Sequence, residues 1–156
     1  MRKALIVLLI FGLLAFCVPA YAATDDVVTV TYESVTTNMT EITFTWTADS
    51  DAGTVTSTAT SSIDGYIISA ITNPGTTAPT ASYDIVLNDA DGIDVFGGEL
   101  GDRSATVSEY TRPLIETSTY GDRWVSGILT MVMTHQSVKS ATGVLKVYVF
   151  NPSIRR

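Results

Sequence analysis

Apolar and polar residues alternate over residues 28–33 (Val-Thr-Val-Thr-Tyr-Glu), and this period of two predicts a half-buried strand. Residues 36–39 read as a turn. Ile42, Phe44, Trp46 and Ala48 then point one way and Thr43, Thr45 and Thr47 the other, which is the cleanest strand pattern in the chain. The run Asp49-Ser50-Asp51-Ala52-Gly53 predicts a hairpin turn, with Gly53 suited to a positive φ. Its expected return strand, residues 54–60, is small and rich in Thr, as an exposed edge would be. Ile63-Asp64-Gly65 predicts a turn into a strand over residues 66–72, with Ile67 and Ile71 on one face and Tyr66 and Ile68 on the other.

Asn73-Pro74-Gly75 marks another turn, and residues 76–82 form a Pro-containing loop. Residues 83–104 (YDIVLNDADGIDVFGGELGDRS) concentrate more special residues than any other stretch. A strand over 83–88 is expected there, then an Asp-rich turn at 89–92, a brief continuation at 93–95 and a break at Gly97-Gly98. One helical turn is expected near 96–100. Pro113 limits residues 104–116 to an edge strand or extended loop, and 117–122 read as a polar linker. Residues 126–134 carry Leu129, Met131 and Met133 on one side and Ile128 and Val132 on the other, which predicts a central strand covered on both faces. A loop over 136–143 leads to a closing strand, 144–150, with Leu145, Val147 and Val149 inward and Lys146 outward. About eight strands at this spacing predict an all-β fold, a single antiparallel β-sandwich of immunoglobulin-like or jelly-roll-like form with minimal helix.

The N-terminus changes the domain plan. Arg2 and Lys3 precede an apolar run over residues 4–16, and Ala20-Tyr21-Ala22 supplies a small-x-small cleavage site. Residues 1–22 therefore read as a signal peptide cleaved after Ala22, and residues 23–156 as the β-sandwich domain. Thirteen apolar residues fall short of the roughly 20 that a spanning helix needs. A lipoprotein anchored through Cys17 is the competing reading, but Phe16 is bulky where that processing wants a small residue. The expected destination is secreted, periplasmic or cell-surface, with no membrane attachment after cleavage. Cys17 is the only cysteine and leaves with the signal, so no disulfide is available to the mature chain. Losing Arg2 and Lys3 leaves seven basic against sixteen acidic residues, a formal net charge of −9. Such a field opposes nucleic acid and anionic lipid alike.

Candidate chemistry is sparse. Asp89, Asp91 and Asp94 stand at near-alternate positions around Gly92, as ligands of a calcium loop do. They miss the EF-hand spacing, and Asp and Gly are also ordinary turn residues; the expectation is turn chemistry and no cofactor, with calcium as the alternative. His135 is the only histidine and no nucleophile motif accompanies it. No two carboxylates stand out as a glycosidase pair. Gly97-Gly98-x-x-Gly101 is too weak a pattern for a phosphate cradle. The expectation is no enzyme. Trp46 belongs to the core, while Tyr120, Asp122 and Trp124 form a candidate ligand surface, with Tyr66, Tyr110 and Tyr148 as further outward aromatics. Aromatics beside Asp and Arg suit a glycan or a protein interface.

Ala78-Pro79-Thr80, Tyr83-Asp84, Asp89-Ala90-Asp91-Gly92, Asp94-Val95, Gly97-Gly98 and Arg103-Ser104 follow one another in fixed order. In these motifs the chain resembles a family of small uncharacterised proteins encoded among tailed-phage and prophage structural genes. The family's closing strand pair also resembles residues 127–149. The resemblance implies a β-sandwich-like virion or accessory protein, supplies no catalytic residues, and points to itself or other structural proteins as partners. An export signal departs from that setting, because phage particles assemble in the cytoplasm. A cell-surface carbohydrate-binding module is the alternative, with glycans as partners.

Overall fold

The computed structural model describes residues 25–152; the predicted signal peptide and Cys17 lie outside them. The described residues form antiparallel sheets, with no helix among them. The strands are β1 (Val27–Thr36), β2 (Met39–Thr47), β3 (Thr58–Ala59), β4 (Ile63–Pro74), β5 (Asp84–Asn88), β6 (Glu109–Thr111), β7 (Leu114–Glu116), β8 (Thr119–Tyr120), β9 (Arg123–Gly127), β10 (Thr130–Thr134) and β11 (Thr142–Phe150). The larger sheet runs β1-β2-β11-β4-β6, with β9 also paired to β4, and curls into a half-barrel. A second sheet runs β3-β10-β5, and β7 and β8 make a small hairpin.

The alternating patterns place their side chains as expected. Ile42, Phe44, Trp46 and Ala48 of the β2 face are buried, as are Leu145, Val147 and Val149 of β11 beside them. Ile85 and Leu87 of β5 and Leu129, Met131 and Met133 around β10 come from the second sheet into the same hydrophobic cluster. Trp46 and Tyr83 join the two sheets edge to face, with ring centroids 6.0 Å apart.

Several expectations are corrected, each for a local reason. Residues 54–60 do not return beside β2, because β1 and β11 already occupy both its edges. Asp49 instead closes its own turn, accepting the Asp51 N–H and Ala52 N–H on Oδ1, with Gly53 at φ 72°. The chain then crosses to the second sheet, where only Thr58 and Ala59 pair, with β10. Ile63-Asp64-Gly65 is the start of β4 and pairs with β9. Ile67 and Ile71 do not share a face. An extra residue, Ile68, interrupts the β4–β11 register, so Ala70 and Thr72 take the buried side beyond it.

Residues 126–134 are two strands in two sheets. Gly127, at φ 111°, breaks the run so that β9 stays with β4 while β10 pairs between β3 and β5. Ile128 at the break is exposed and Val132 half-buried, so this segment is not covered on both faces. The polar segment 117–122 is not a linker: it contains β8 and the turn that pairs it with β7, with Ser118 at φ 66° in that turn. The one helical turn expected at 96–100 is a chain of tight turns, with Gly97 N–H donating to Asp94 O, Glu99 N–H to Phe96 O and Gly101 N–H to Gly98 O. Positive φ at both Gly97 and Gly98 prevents a helix from propagating.

Candidate functional site

The stretch 83–104 folds back along its own strand. Ile85 N–H donates to Leu100 O, Val95 N–H to Leu87 O, and Arg103 N–H to Tyr83 O. The outer edge of β5 is thereby satisfied without a neighbouring strand, one way that sheets protect an edge. The Asp residues build this cap. Asp89 Oδ1 accepts the N–H groups of Asp91 and Ile93. Asp94 accepts from Phe96 N–H on one oxygen and Gly98 N–H on the other. Asp91 is exposed. Among the described residues no group of three His, Cys, Asp or Glu side chains is arranged to hold a metal ion.

His135 lies outside this cap, with its ring exposed and Nδ1 2.5 Å from Asp84 Oδ2. Asp84 also accepts the Asp102 N–H at 2.7 Å. That backbone bond and then the His135 contact hold its carboxyl below the usual carboxylate range.

Between the cap, β6 and β8 opens a cleft of about 440 Å³, within the usual range for small-molecule sites. The cap contributes Glu99 and Arg103, while β6 contributes Glu109, Tyr110 and Thr111. Arg112, held before Pro113, and Tyr120 of β8 complete it. These groups orient one another. Tyr120 Oη donates to Glu99 Oε2 at 3.0 Å, and that carboxylate pushes the phenol pKa up. Arg103 Nε donates to Gly101 O at 2.9 Å and stands 3.7 Å from Glu109 Oε2. Glu109 Oε2 also accepts the Ser104 N–H. Arg112 Nη2 pairs with Asp122 Oδ1 at 2.9 Å on the surface. Nearby, burial pushes the Tyr83 phenol up to about 12, with Arg103 acting the other way.

Tyr120 and Asp122 of the predicted ligand surface thus meet at this cleft, the second through Arg112. Trp124 belongs elsewhere. It lies on β9 opposite Tyr66 of β4, with ring centroids 5.0 Å apart, and Tyr66 is opposite Phe150 of β11. All three are exposed and form an aromatic row across neighbouring strands. Tyr110 is exposed on β6 and Tyr148 half-buried on β11. Sequence reasoning missed Glu99, Arg103, Glu109 and Arg112. Their one signal was four charged residues within irregular, Gly- and Pro-marked segments that no periodicity assigned to a core.

A second feature is the free side of β1. Its backbone ladder runs with β2 alone, and among the described residues it has no other strand neighbour. Asp26, just before it, and Tyr32 within it reach to residues 56–61, accepting the N–H groups of Thr56 and Ser61 through side-chain oxygens. Val27, Tyr32 and Val35 are exposed along it. Among the described residues no helix is long and apolar enough to cross a membrane. No protein-family model, curated protein or solved structure matches this chain.

Proposed function

We propose that this is a non-catalytic, exported structural or accessory protein, sandwich-like in build, that self-associates by pairing β1 with β1 of a second copy. The observation that carries the reading is the ten-residue edge strand β1, beside a β5 edge that is capped. An unpaired row of backbone N–H and C=O groups is a template for another strand.

The sequence of β1 supports a copy of itself as the partner. Antiparallel pairing about Thr31 sets Val27 against Val35 of the second copy and Val30 against Tyr32. It also sets Glu33, the one charge in β1, against Thr29 and away from its own copy. Val28, Val30 and Tyr32 lie on the β1 face that pairs with Ile42, Phe44 and Trp46, so the apolar inner faces of two copies would run on into each other. The resemblance of its motifs to small uncharacterised proteins encoded among phage structural genes would agree with an assembly role.

Light scattering on purified residues 23–156 tests the proposal. The net negative charge opposes association, and salt screens that repulsion. Dimers or larger species are therefore expected at low salt and persist or increase at high salt. Thr31→Glu, an exposed change that puts a carboxylate opposite its own copy, is expected to give a monomer. A wild-type monomer at high concentration in both salts would end the reading.

A further inference from the structure

We propose that the cleft formed by the β5 cap, β6 and β8 binds a neutral saccharide, a role independent of β1 pairing. The composition of its lining is the first argument. Every lining side chain is aromatic, charged or hydroxyl-bearing, and none is aliphatic. A peptide side chain or an acyl chain gains affinity by burying its apolar surface against apolar walls. No aliphatic side chain supplies such a wall here; the apolar part of the lining belongs to the two Tyr rings, the Thr111 methyl and the stems of the charged residues.

A sugar ring needs two other kinds of surface. Its C–H face stacks on an aromatic ring, and its rim of neighbouring hydroxyls meets planar groups that make two hydrogen bonds at once. Tyr110 and Tyr120, which are 62% and 52% exposed, offer the rings. Arg103 and Arg112 offer forked donors, and Glu99 and Glu109 offer paired acceptors. Hydroxyls both donate and accept, so they use guanidinium and carboxylate groups together. An anion uses only the donors.

Charge separates these ligands further. Two guanidinium groups balance two carboxylates in the lining, and Asp122 engages Arg112 at the rim. A phosphate or acidic sugar entering the cleft would meet Glu99 and Glu109 within a chain already carrying excess negative charge. A neutral polyol meets no such opposition.

The groups are also set before a ligand arrives. Tyr120 is tied to Glu99, Glu109 to the Ser104 backbone N–H, and Arg103 to the Gly101 carbonyl. Arg103 is largely buried, its side chain 14% exposed, so its guanidinium is held while part of it remains at the cleft surface. Fixing long polar side chains in advance removes much of the ordering cost of binding. Trp124, on the aromatic row, is outside this lining.

Amide NMR spectra of ¹⁵N-labelled residues 23–156, titrated separately with maltotriose, cellotriose, mannotriose and chitotriose, test the assignment. Inorganic phosphate serves as the anionic comparison. At least one trisaccharide is expected to shift amides over residues 99–120 saturably, while phosphate leaves them in place. Tyr110→Ala, a change at an exposed ring, is expected to keep the dispersed spectrum of a folded chain and weaken binding about tenfold or more. Trp124→Ala is expected to bind as the wild type does. The assignment fails if none of the four sugars shifts these amides, or if phosphate shifts them instead. It also fails if Trp124→Ala abolishes binding while Tyr110→Ala retains it, since the ligand would then sit on the aromatic row.

Discussion

Gly143 lies directly opposite Trp46 in the β2–β11 ladder, and the indole covers the place where a side chain would be. A Cβ built on Gly143 would sit 2.7 Å from Trp46 Cε2 and 3.1 Å from Nε1, inside contact distance of a rigid, buried ring. The backbone imposes no such bar, since Gly143 is not among the positive-φ glycines. Gly143→Ala should therefore destabilise through the ring alone, by about 1 to 3 kcal/mol, as overpacking of a core does. Trp46→Ala, at a residue only 1% exposed, should cost about 3 to 5 kcal/mol by loss of contacts and cavity formation. With the indole gone the obstacle is gone. In the Trp46→Ala background, Gly143→Ala should be neutral or stabilise by up to about 1 kcal/mol, the usual preference for Ala over Gly within a strand. The expected coupling is thus roughly 1 to 4 kcal/mol, read from urea midpoints followed by circular dichroism on all four proteins. An equal loss from Gly143→Ala in both backgrounds would refute the reasoning, because the penalty would then come from the backbone.

The Lys146 ammonium, 2.7 Å from Glu41, is the main cause holding the Glu41 carboxyl below its usual 4.5, with burial opposing it. The folded value lies below the unfolded one, so this contribution is complete above about pH 4.5 and fades as pH falls through the folded value; urea midpoints should decline there, and less steeply in Glu41→Gln. Tyr83 has the opposite sign. Its pKa rises from 10.0 to about 12, so stability should drop as pH climbs between those values, and Tyr83→Phe should lessen that drop. Asp89→Ala and Asp94→Ala each remove two hydrogen bonds from backbone N–H groups and should lower stability by about 1 to 2 kcal/mol. Calcium should leave the Tm unchanged, whereas a site filled at a hundred times its Kd would add about 2.7 kcal/mol.

Strands were legible where one face is buried and the other solvated. Ile42, Phe44 and Trp46 on β2, and Leu145, Val147 and Val149 on β11, announce their orientation because a one-residue slip would expose all three. Pairing was less legible, since it depends on which edges are already taken. Nothing in residues 54–60 says that β11, about ninety residues later, occupies the edge of β2 they were expected to join. The unpaired Ile68 was hidden for a related reason: Ile67, Ile68 and Ile71 are all apolar, so their chemistry does not reveal where the faces exchange. At the cleft, Tyr120 and Asp122 could be singled out as aromatic and charged residues in a polar segment. Glu99 and Arg103 are brought to them by the fold of the β5 cap, which carries no periodic signal.

The central claim is that β1 pairs with itself about Thr31. Because the one cysteine lies in the predicted signal peptide, residues 23–156 contain none, and a single introduced thiol reports on its own copy. Residues directly opposite in an antiparallel pair stand about 4.5 to 5.5 Å apart at Cα, a separation that a disulfide spans. Oxidised Thr31→Cys should therefore run as a covalent dimer on non-reducing gels, while Thr45→Cys, exposed on the internal strand β2, should remain monomeric. A Thr31→Cys protein that stays monomeric under oxidation, or one that cross-links no better than Thr45→Cys, would contradict the account.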